Sequence, residues 1–263
     1  MELQLDQNIG HYKPFLGRNT EQMPLLIAED RVPISVSGLE SRKFEVLKFY
    51  NYFSENVRNS WLNYYFDTGD GIALHPNGKV KIVPDALQLR QMNEQSPLRN
   101  GALILTEQEW KDLEGLELTR KEADKYFKNS FTEAKVNENP VHLALARDKN
   151  ILKEYSHEAF AFMKQKFNYN EGLGLYKRDS AESVPTMRLW MVRRLESRSD
   201  VNGRCDLGNN YGLLVGVRQG IAEGALQKII APTLDQIVNA TKQFVPEFAQ
   251  KEYEQALSKL YIK

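Results

Sequence analysis

The stretch "YYFDTGDGIALHPNGKVKIV", residues 64–83, decides the fold because its second half has the pattern of a β-hairpin. A three-residue loop over 76–78, with Gly78 in the left-handed region, separates an apolar face from a mostly polar one. A two-residue Asn-Gly loop would instead pair Leu74 with Lys81. The three-residue form pairs His75 with Lys79, Leu74 with Val80, Ala73 with Lys81 and Ile72 with Ile82. We therefore predict a hairpin in this register.

The four residues Asp67-Thr68-Gly69-Asp70 precede the hairpin, and we interpret them as a turn. Aspartate and threonine side chains hydrogen-bond nearby amides in turns, and glycine readily takes a positive φ. A turn would leave polar side chains exposed beside many aromatic residues. Asp67, Thr68 and Asp70 are therefore candidate ligand-binding residues.

Two functional interpretations of the same residues remain open as alternatives to a simple turn. A hydrophobic residue followed by Asp-Thr-Gly resembles the signature of aspartic proteases, in which two carboxylates share a proton. One copy of the motif would require a dimer. Thr68-Gly69-Asp70, followed by Asn77-Gly78 and Val80, also resembles a hairpin of adenylate-forming enzymes, the acyl-CoA and amino-acid ligases. That resemblance covers the hairpin alone, and it implies that Asp70 holds the ribose hydroxyls of AMP.

Composition is that of an ordinary globular chain of 263 residues, with 41% hydrophobic and 27% charged residues. The 35 basic and 35 acidic residues balance, so there is no strong nucleic-acid signal. A single cysteine, Cys205, excludes an intramolecular disulfide and a cysteine-based zinc site. The N-terminus has no signal-peptide pattern, and no apolar run reaches the length of a membrane span. We expect a cytoplasmic protein that does not enter a membrane.

Short apolar runs and amphipathic segments predict an α+β fold, with a mixed, mostly antiparallel sheet packed by helices. We divide the chain into an N-terminal arm (1–23), an α+β core domain (24–218) and a C-terminal helical annex (219–263), forming one compact unit with the core. The predicted strands include "PLLIAED", "RVPISVSG", "GALIL", "TMRLWMVRRL" and "YGLLVGVR".

Helix starts are predicted from capping patterns. Ser37 and Glu40 are spaced as a capping box, which predicts a helix beginning near Gly38. The aromatic residues that follow recur at helical spacing, which favours core packing over a stacking surface for a base or a sugar. Thr106 is expected to cap another helix.

Three arginines lie on an otherwise apolar predicted strand: Arg188, Arg193 and Arg194. Buried arginines need an anionic partner, so these residues form structural ion pairs, carry solvated charges on an edge strand, or bind a ligand. The following segment, 196–210, has no periodicity and is interpreted as a loop that is mobile or functional. It offers Asp200, Asn202 and Asp206 as oxygen ligands. A calcium loop would need a glutamate at 211, where the chain has Tyr211.

The sequence supports two classes of function. In the first, the protein binds or acts on an anionic small molecule such as a nucleotide, where 67–70, the arginine strand and the 196–210 loop converge. In the second, it is an accessory or scaffold protein that binds a protein partner. Catalytic residues, cofactors and the oligomeric state are not identified by any motif, and no metal site is predicted.

Overall fold

The computed structural model describes residues 3–6, 10–178, 183–196, 199–218 and 250. The strands are β1 (Tyr12–Gly17), β2 (Arg31–Pro33), β3 (Phe66–Leu74), β4 (Val80–Val83), β5 (Leu98–Arg99), β6 (Ala102–Ile104), β7 (Leu116–Leu118), β8 (Gly174–Lys177), β9 (Thr186–Val192), β10 (Asp200–Gly203) and β11 (Gly212–Arg218). The α-helices are α1 (Asn19–Ala28), α2 (Val36–Lys48), α3 (Glu55–Asn63), α4 (Leu87–Arg90), α5 (Glu107–Asp112), α6 (Arg120–Tyr126), α7 (Glu133–Glu138), α8 (Pro140–Ala146) and α9 (Lys149–Phe167).

The strands form one mixed sheet whose central order is β1-β11-β3-β9-β10-β8. The pairs β3–β11 and β8–β10 are parallel, and the other pairs among the described residues are antiparallel. The predicted α+β fold with a mostly antiparallel sheet is therefore confirmed. The predicted C-terminal helical annex lies outside the described residues, apart from Gln250.

The predicted hairpin is confirmed in its register. β3 pairs with β4, and the His75 amide donates to the Lys79 carbonyl oxygen at 3.0 Å to close the loop. Gly78 has a φ of +88°, the left-handed conformation that a three-residue loop requires. The paired residues are Leu74 with Val80, Ala73 with Lys81, and Ile72 with Ile82.

The prediction of a turn over 67–70 is wrong. These residues lie inside β3, whose nine residues are all buried, at an irregularity where the register against β9 shifts between Asp67 and Gly71. Neither Gly69 nor the following Gly71 has a positive φ. Glycine is needed for space instead: a Cβ on Gly69 would lie 2.8 Å from Pro33 Cγ.

Two hydrophobic clusters lie on opposite faces of the sheet. The larger one packs α2, α3, α8 and α9 against the sheet and includes the buried side chains of Trp61, Phe66 and Trp190. The smaller one packs α1, α4 and α5 and includes Met23 and Trp110. Phe44, Trp61 and Phe66 are all buried, which confirms that this aromatic-rich segment contributes to the core.

Three local predictions need correction. The segment 12–23 is not a loose arm, because β1 pairs along its whole length with β11 and Met23 is fully buried. "PLLIAED" is the end of α1 rather than a strand. The cap of α2 is Ser35, whose hydroxyl accepts from the Gly38 amide, and not Ser37. The capping box at Thr106 is confirmed, with Glu109 as its second member.

Candidate functional site

A cleft of about 370 Å³ opens where β3, β9 and the segment after β10 meet. Three residues singled out in the sequence, Asp67, Arg193 and Asp206, line this cleft. The sequence analysis did not single out the remaining lining residues as candidates: Tyr65, Met191, Arg204, Cys205, Asn209, Tyr211 and Gly212. The cleft is therefore the place where the aspartate stretch, the arginine strand and the 196–210 segment meet.

Asp67 lies at the floor of the cleft with every oxygen engaged. One oxygen accepts from the Leu213 amide at 2.9 Å and from Asn19 Nδ2 at 3.0 Å, and the other accepts from Cys205 Sγ at 3.2 Å. Burial raises the pKa of Asp67, and these three hydrogen bonds oppose the rise. Burial and the nearby Asp67 also raise the pKa of the Cys205 thiol. At the floor of the cleft, the protonated thiol of Cys205 therefore donates to Asp67, whose other oxygen already accepts two hydrogen bonds.

Arg193 forms the cationic wall of the cleft. Its Nη1 contacts Asp200 Oδ2 at 3.2 Å, and its carbonyl oxygen accepts from Lys43 Nζ at 2.7 Å. Burial raises the pKa of Asp200 to about 6, and Arg193 opposes that rise. Because Asp200 is buried and Arg193 is about one-third exposed, one side of the guanidinium is held by the protein while the other faces the cleft.

Arg204 and Tyr211 complete the rim. The Arg204 guanidinium lies 5.3 Å from the centre of the Tyr176 ring, and its Nε donates to the Lys177 carbonyl oxygen at 3.0 Å. Tyr211 is 73% exposed, an unusual position for a large aromatic side chain. The Tyr65 hydroxyl donates to the Tyr211 carbonyl oxygen at 2.6 Å, which ties the rim to β3.

Asp70 does not reach the cleft. It lies on the opposite face of the sheet and is fully buried. Its carboxylate accepts from the Val36 amide at the start of α2 at 2.7 Å, from the Asp85 amide at 2.9 Å, and from Arg147. Arg147 also binds Asp85, so Asp70 joins β3, α2 and the end of α8. The expectation that this aspartate is exposed for a ligand is wrong.

Both motif readings of the stretch fail for the same reason. A carboxylate that receives two backbone amides and a guanidinium inside the protein cannot also bind the ribose hydroxyls of AMP, so the reading of Asp70 drawn from adenylate-forming enzymes is wrong. Asp67 is buried at the floor, and both of its oxygens already accept hydrogen bonds from within the chain. The structure therefore does not support the protease reading, which needs this carboxylate to share a proton with a second one.

The other predicted site residues lie outside the cleft lining. Thr68 Oγ1 donates to the Trp190 carbonyl oxygen, and the buried Arg188 donates to backbone carbonyls of Asn100, Gly101 and Cys205. Arg194 contacts Glu196 at 2.6 Å on the surface. Asp200 and Asn202 belong to β10, so the prediction that the whole 196–210 segment is an irregular loop is wrong.

No group of three or more His, Cys, Asp or Glu side chains able to hold a metal ion occurs in the part of the chain that the structure describes. Within the same residues, no helix has both the length and the apolar character needed to cross a bilayer. The polar groups that line the cleft are two guanidinium groups, two tyrosine hydroxyls, an amide, a thiol and two carboxyl groups.

Comparison with known proteins gives a fold and no family. No protein-family model matches the sequence, and the search of curated proteins gives no match. A solved structure described as "Accommodation of massive sequence variation in Nanoarchaeota by the C-type lectin fold" is similar, with a TM-score of 0.58 and 15% sequence identity. The match covers 82% of this chain and 100% of that chain. The α+β architecture described above is therefore similar to the C-type lectin fold.

Proposed function

We propose that this protein is a ligand-binding protein, and that the cleft beside Arg193 binds an anionic group of its ligand. The observation that carries the proposal is the convergence of Arg193 and Arg204 on one open cleft. Guanidinium groups bind carboxylates and phosphates in a fork geometry, which suits them to anion recognition. The ligand would be a small molecule or a chain segment bearing such a group.

The remaining lining residues support binding rather than chemistry. Tyr65 and Tyr211 offer rigid aromatic walls, and Asn209 offers an adaptable amide, a combination common in binding surfaces. Asp67 and Cys205 hold each other and present no activated nucleophile, since burial raises the pKa of the thiol. The related fold accommodates massive sequence variation in the Nanoarchaeota protein, and a scaffold of that kind suits a role in binding.

Native mass spectrometry on the full chain tests the proposal. The probes are inorganic phosphate, citrate, N-acetylglutamate and nucleoside mono- and diphosphates. Arg204→Gln removes an exposed guanidinium from the cleft, and Arg194→Gln is the matched control because Arg194 is a 53% exposed arginine outside the lining. We expect an adduct with the parent and with Arg194→Gln that is lost in Arg204→Gln.

Two results would overturn the proposal. An adduct that Arg204→Gln and a second variant, Tyr211→Ser, both retain would place the anion elsewhere. A complete lack of adducts across the panel would reject recognition of a small anion and favour the second class of function, a protein partner bound through other surfaces.

A further inference from the structure

The cleft is one of two hollows that share a residue. The second hollow, of about 200 Å³, is lined by Asp124, Phe127, Asn129, Leu175, Tyr176, Lys177 and Arg204. Arg204 therefore lines both hollows. The Arg204 guanidinium lies over the Tyr176 ring of β8, and Arg204 is the residue that directly follows β10.

The register of the sheet places the two hollows along one row. Asp67 of β3 pairs with Met191 of β9, Met191 pairs with Asn202 of β10, and Asn202 pairs with Tyr176 of β8. Residues paired directly across strands point to the same face of a sheet, so these four side chains form a line across it. Three strand spacings of about 4.8 Å give a row about 14 Å long. An extended peptide of about four residues has that length.

The charges along the row favour one class of occupant. Arg193 directly follows β9 and Arg204 directly follows β10, the two middle strands of the row, whereas Asp206 lines the near hollow and Asp124 lines the far one. A uniform polyanion, such as a nucleic-acid strand, would meet a carboxylate in each hollow. A peptide can place one acidic side chain over the arginines and neutral residues over both hollows.

We infer that the ligand is an extended peptide segment of a protein partner, which crosses β3, β9, β10 and β8 with an acidic side chain at Arg204. This inference rests on the proposed function, since it uses the same anion contact and adds the far hollow. In the far hollow, the Lys177 ammonium and the Asp124 carboxylate, 3.7 Å apart, can donate to and accept from the peptide backbone.

Calorimetric titration of the full chain tests this with three probes. They are acetyl-Glu-amide, the heptapeptide acetyl-Gly-Ser-Gly-Glu-Gly-Ser-Gly-amide, and a heptapeptide of glutamate alone. We expect the single-glutamate heptapeptide to bind about tenfold more tightly than acetyl-Glu-amide, which corresponds to about 1.4 kcal/mol. We expect the all-glutamate peptide to bind less tightly than the single-glutamate peptide.

Variants of the far hollow separate this inference from the proposed function. Lys177→Met and the more exposed Asp124→Ala should weaken the heptapeptide about threefold to tenfold while leaving acetyl-Glu-amide unchanged. If the heptapeptide and acetyl-Glu-amide bind equally, and neither variant changes either affinity, the extended ligand is refuted and the cleft proposal stands. If no glutamate probe binds, the peptide inference fails, and the anion panel of the mass-spectrometry test decides the cleft proposal separately. Tighter binding of the all-glutamate peptide, or of an oligothymidylate of similar length, would reject the mixed-charge peptide.

Discussion

Replacing Asp70 by alanine should destabilise the fold strongly and leave ligand binding intact in the folded molecules. The carboxylate is fully buried and accepts from the Val36 and Asp85 amides and from Arg147. Alanine leaves two backbone amides without this acceptor, at about 1 to 3 kcal/mol each. Arg147 is 29% exposed and still pairs with Asp85, so the loss of its contact with Asp70 adds less than about 1 kcal/mol. The expected loss is therefore about 2 to 7 kcal/mol, a large part of a typical domain stability of about 5 to 15 kcal/mol.

Urea denaturation followed by tryptophan fluorescence measures this loss. Asp112→Ala is the control, an exposed aspartate at the end of α5, and it should change the free energy of unfolding by less than about 0.5 kcal/mol. If Asp70→Ala unfolds at the same urea concentration as the parent but loses ligand binding, the reasoning is refuted. Asp70 would then contact the ligand, as its sequence context first suggested.

Three further perturbations test the packing around the sheet. Gly69→Ala should cost about 1 to 3 kcal/mol because the new Cβ would lie 2.8 Å from Pro33 Cγ, and an unchanged urea midpoint would contradict this. Burial lowers the pKa of His142 from its usual 6.5 to about 4, so the unfolded chain takes up a proton first as the pH falls. Stability should drop by about 3 kcal/mol between pH 6.5 and 4, and His142→Gln should show a smaller drop in the same denaturation series. Burial also raises the pKa of Glu40 to about 8 and lowers that of its neighbour Lys43 to about 7. Both shifts favour the uncharged forms, so Lys43→Met should cost about 1 to 3 kcal/mol, mainly through the lost donor to the Arg193 carbonyl oxygen. The Glu40→Leu/Lys43→Met double variant also removes a buried carboxyl oxygen that has no hydrogen-bond partner, so it should cost less than Lys43→Met alone. A double variant less stable than Lys43→Met would contradict this.

Local patterns were sufficient to predict the hairpin and the strands β9 and β11. Alternation sets the register around the 76–78 loop, and Pro185 marks the start of β9. The same reasoning failed for α1, because the apolar run Leu25-Leu26-Ile27 is typical of a strand and its helical partners lie elsewhere in the chain. Tertiary packing of Met23 and Leu26 decides this segment.

The candidate site could be predicted in part. Arg193 was recognised as a charged residue on an apolar predicted strand, Asp67 as part of a predicted turn, and Asp206 as an oxygen ligand in the aperiodic 196–210 segment. The sequence could not show that Asp70 lies away from the cleft while Asp67 lines it. The hydrogen-bond partners of Asp70, Val36 and Arg147, are 34 and 77 residues away in sequence. Arg204 and Tyr211 carry no local signal beyond their position near the predicted strand β11. Their role depends on the pairing of β10 with β8 and β9, which brings them beside β3.

The central claim is that the ligand binds on the face of the sheet that carries Asp67 and Arg193. Amide NMR of the full chain, titrated with N-acetylglutamate and then with the single-glutamate heptapeptide, tests that claim most directly. The account predicts shift changes at Tyr65, at 191–193 and at 204–212, which spread to 176–177 with the heptapeptide. Changes confined to Asp70, Asp85 and Arg147, or to the grooves beside α9 lined by His157 and Phe162, would contradict it.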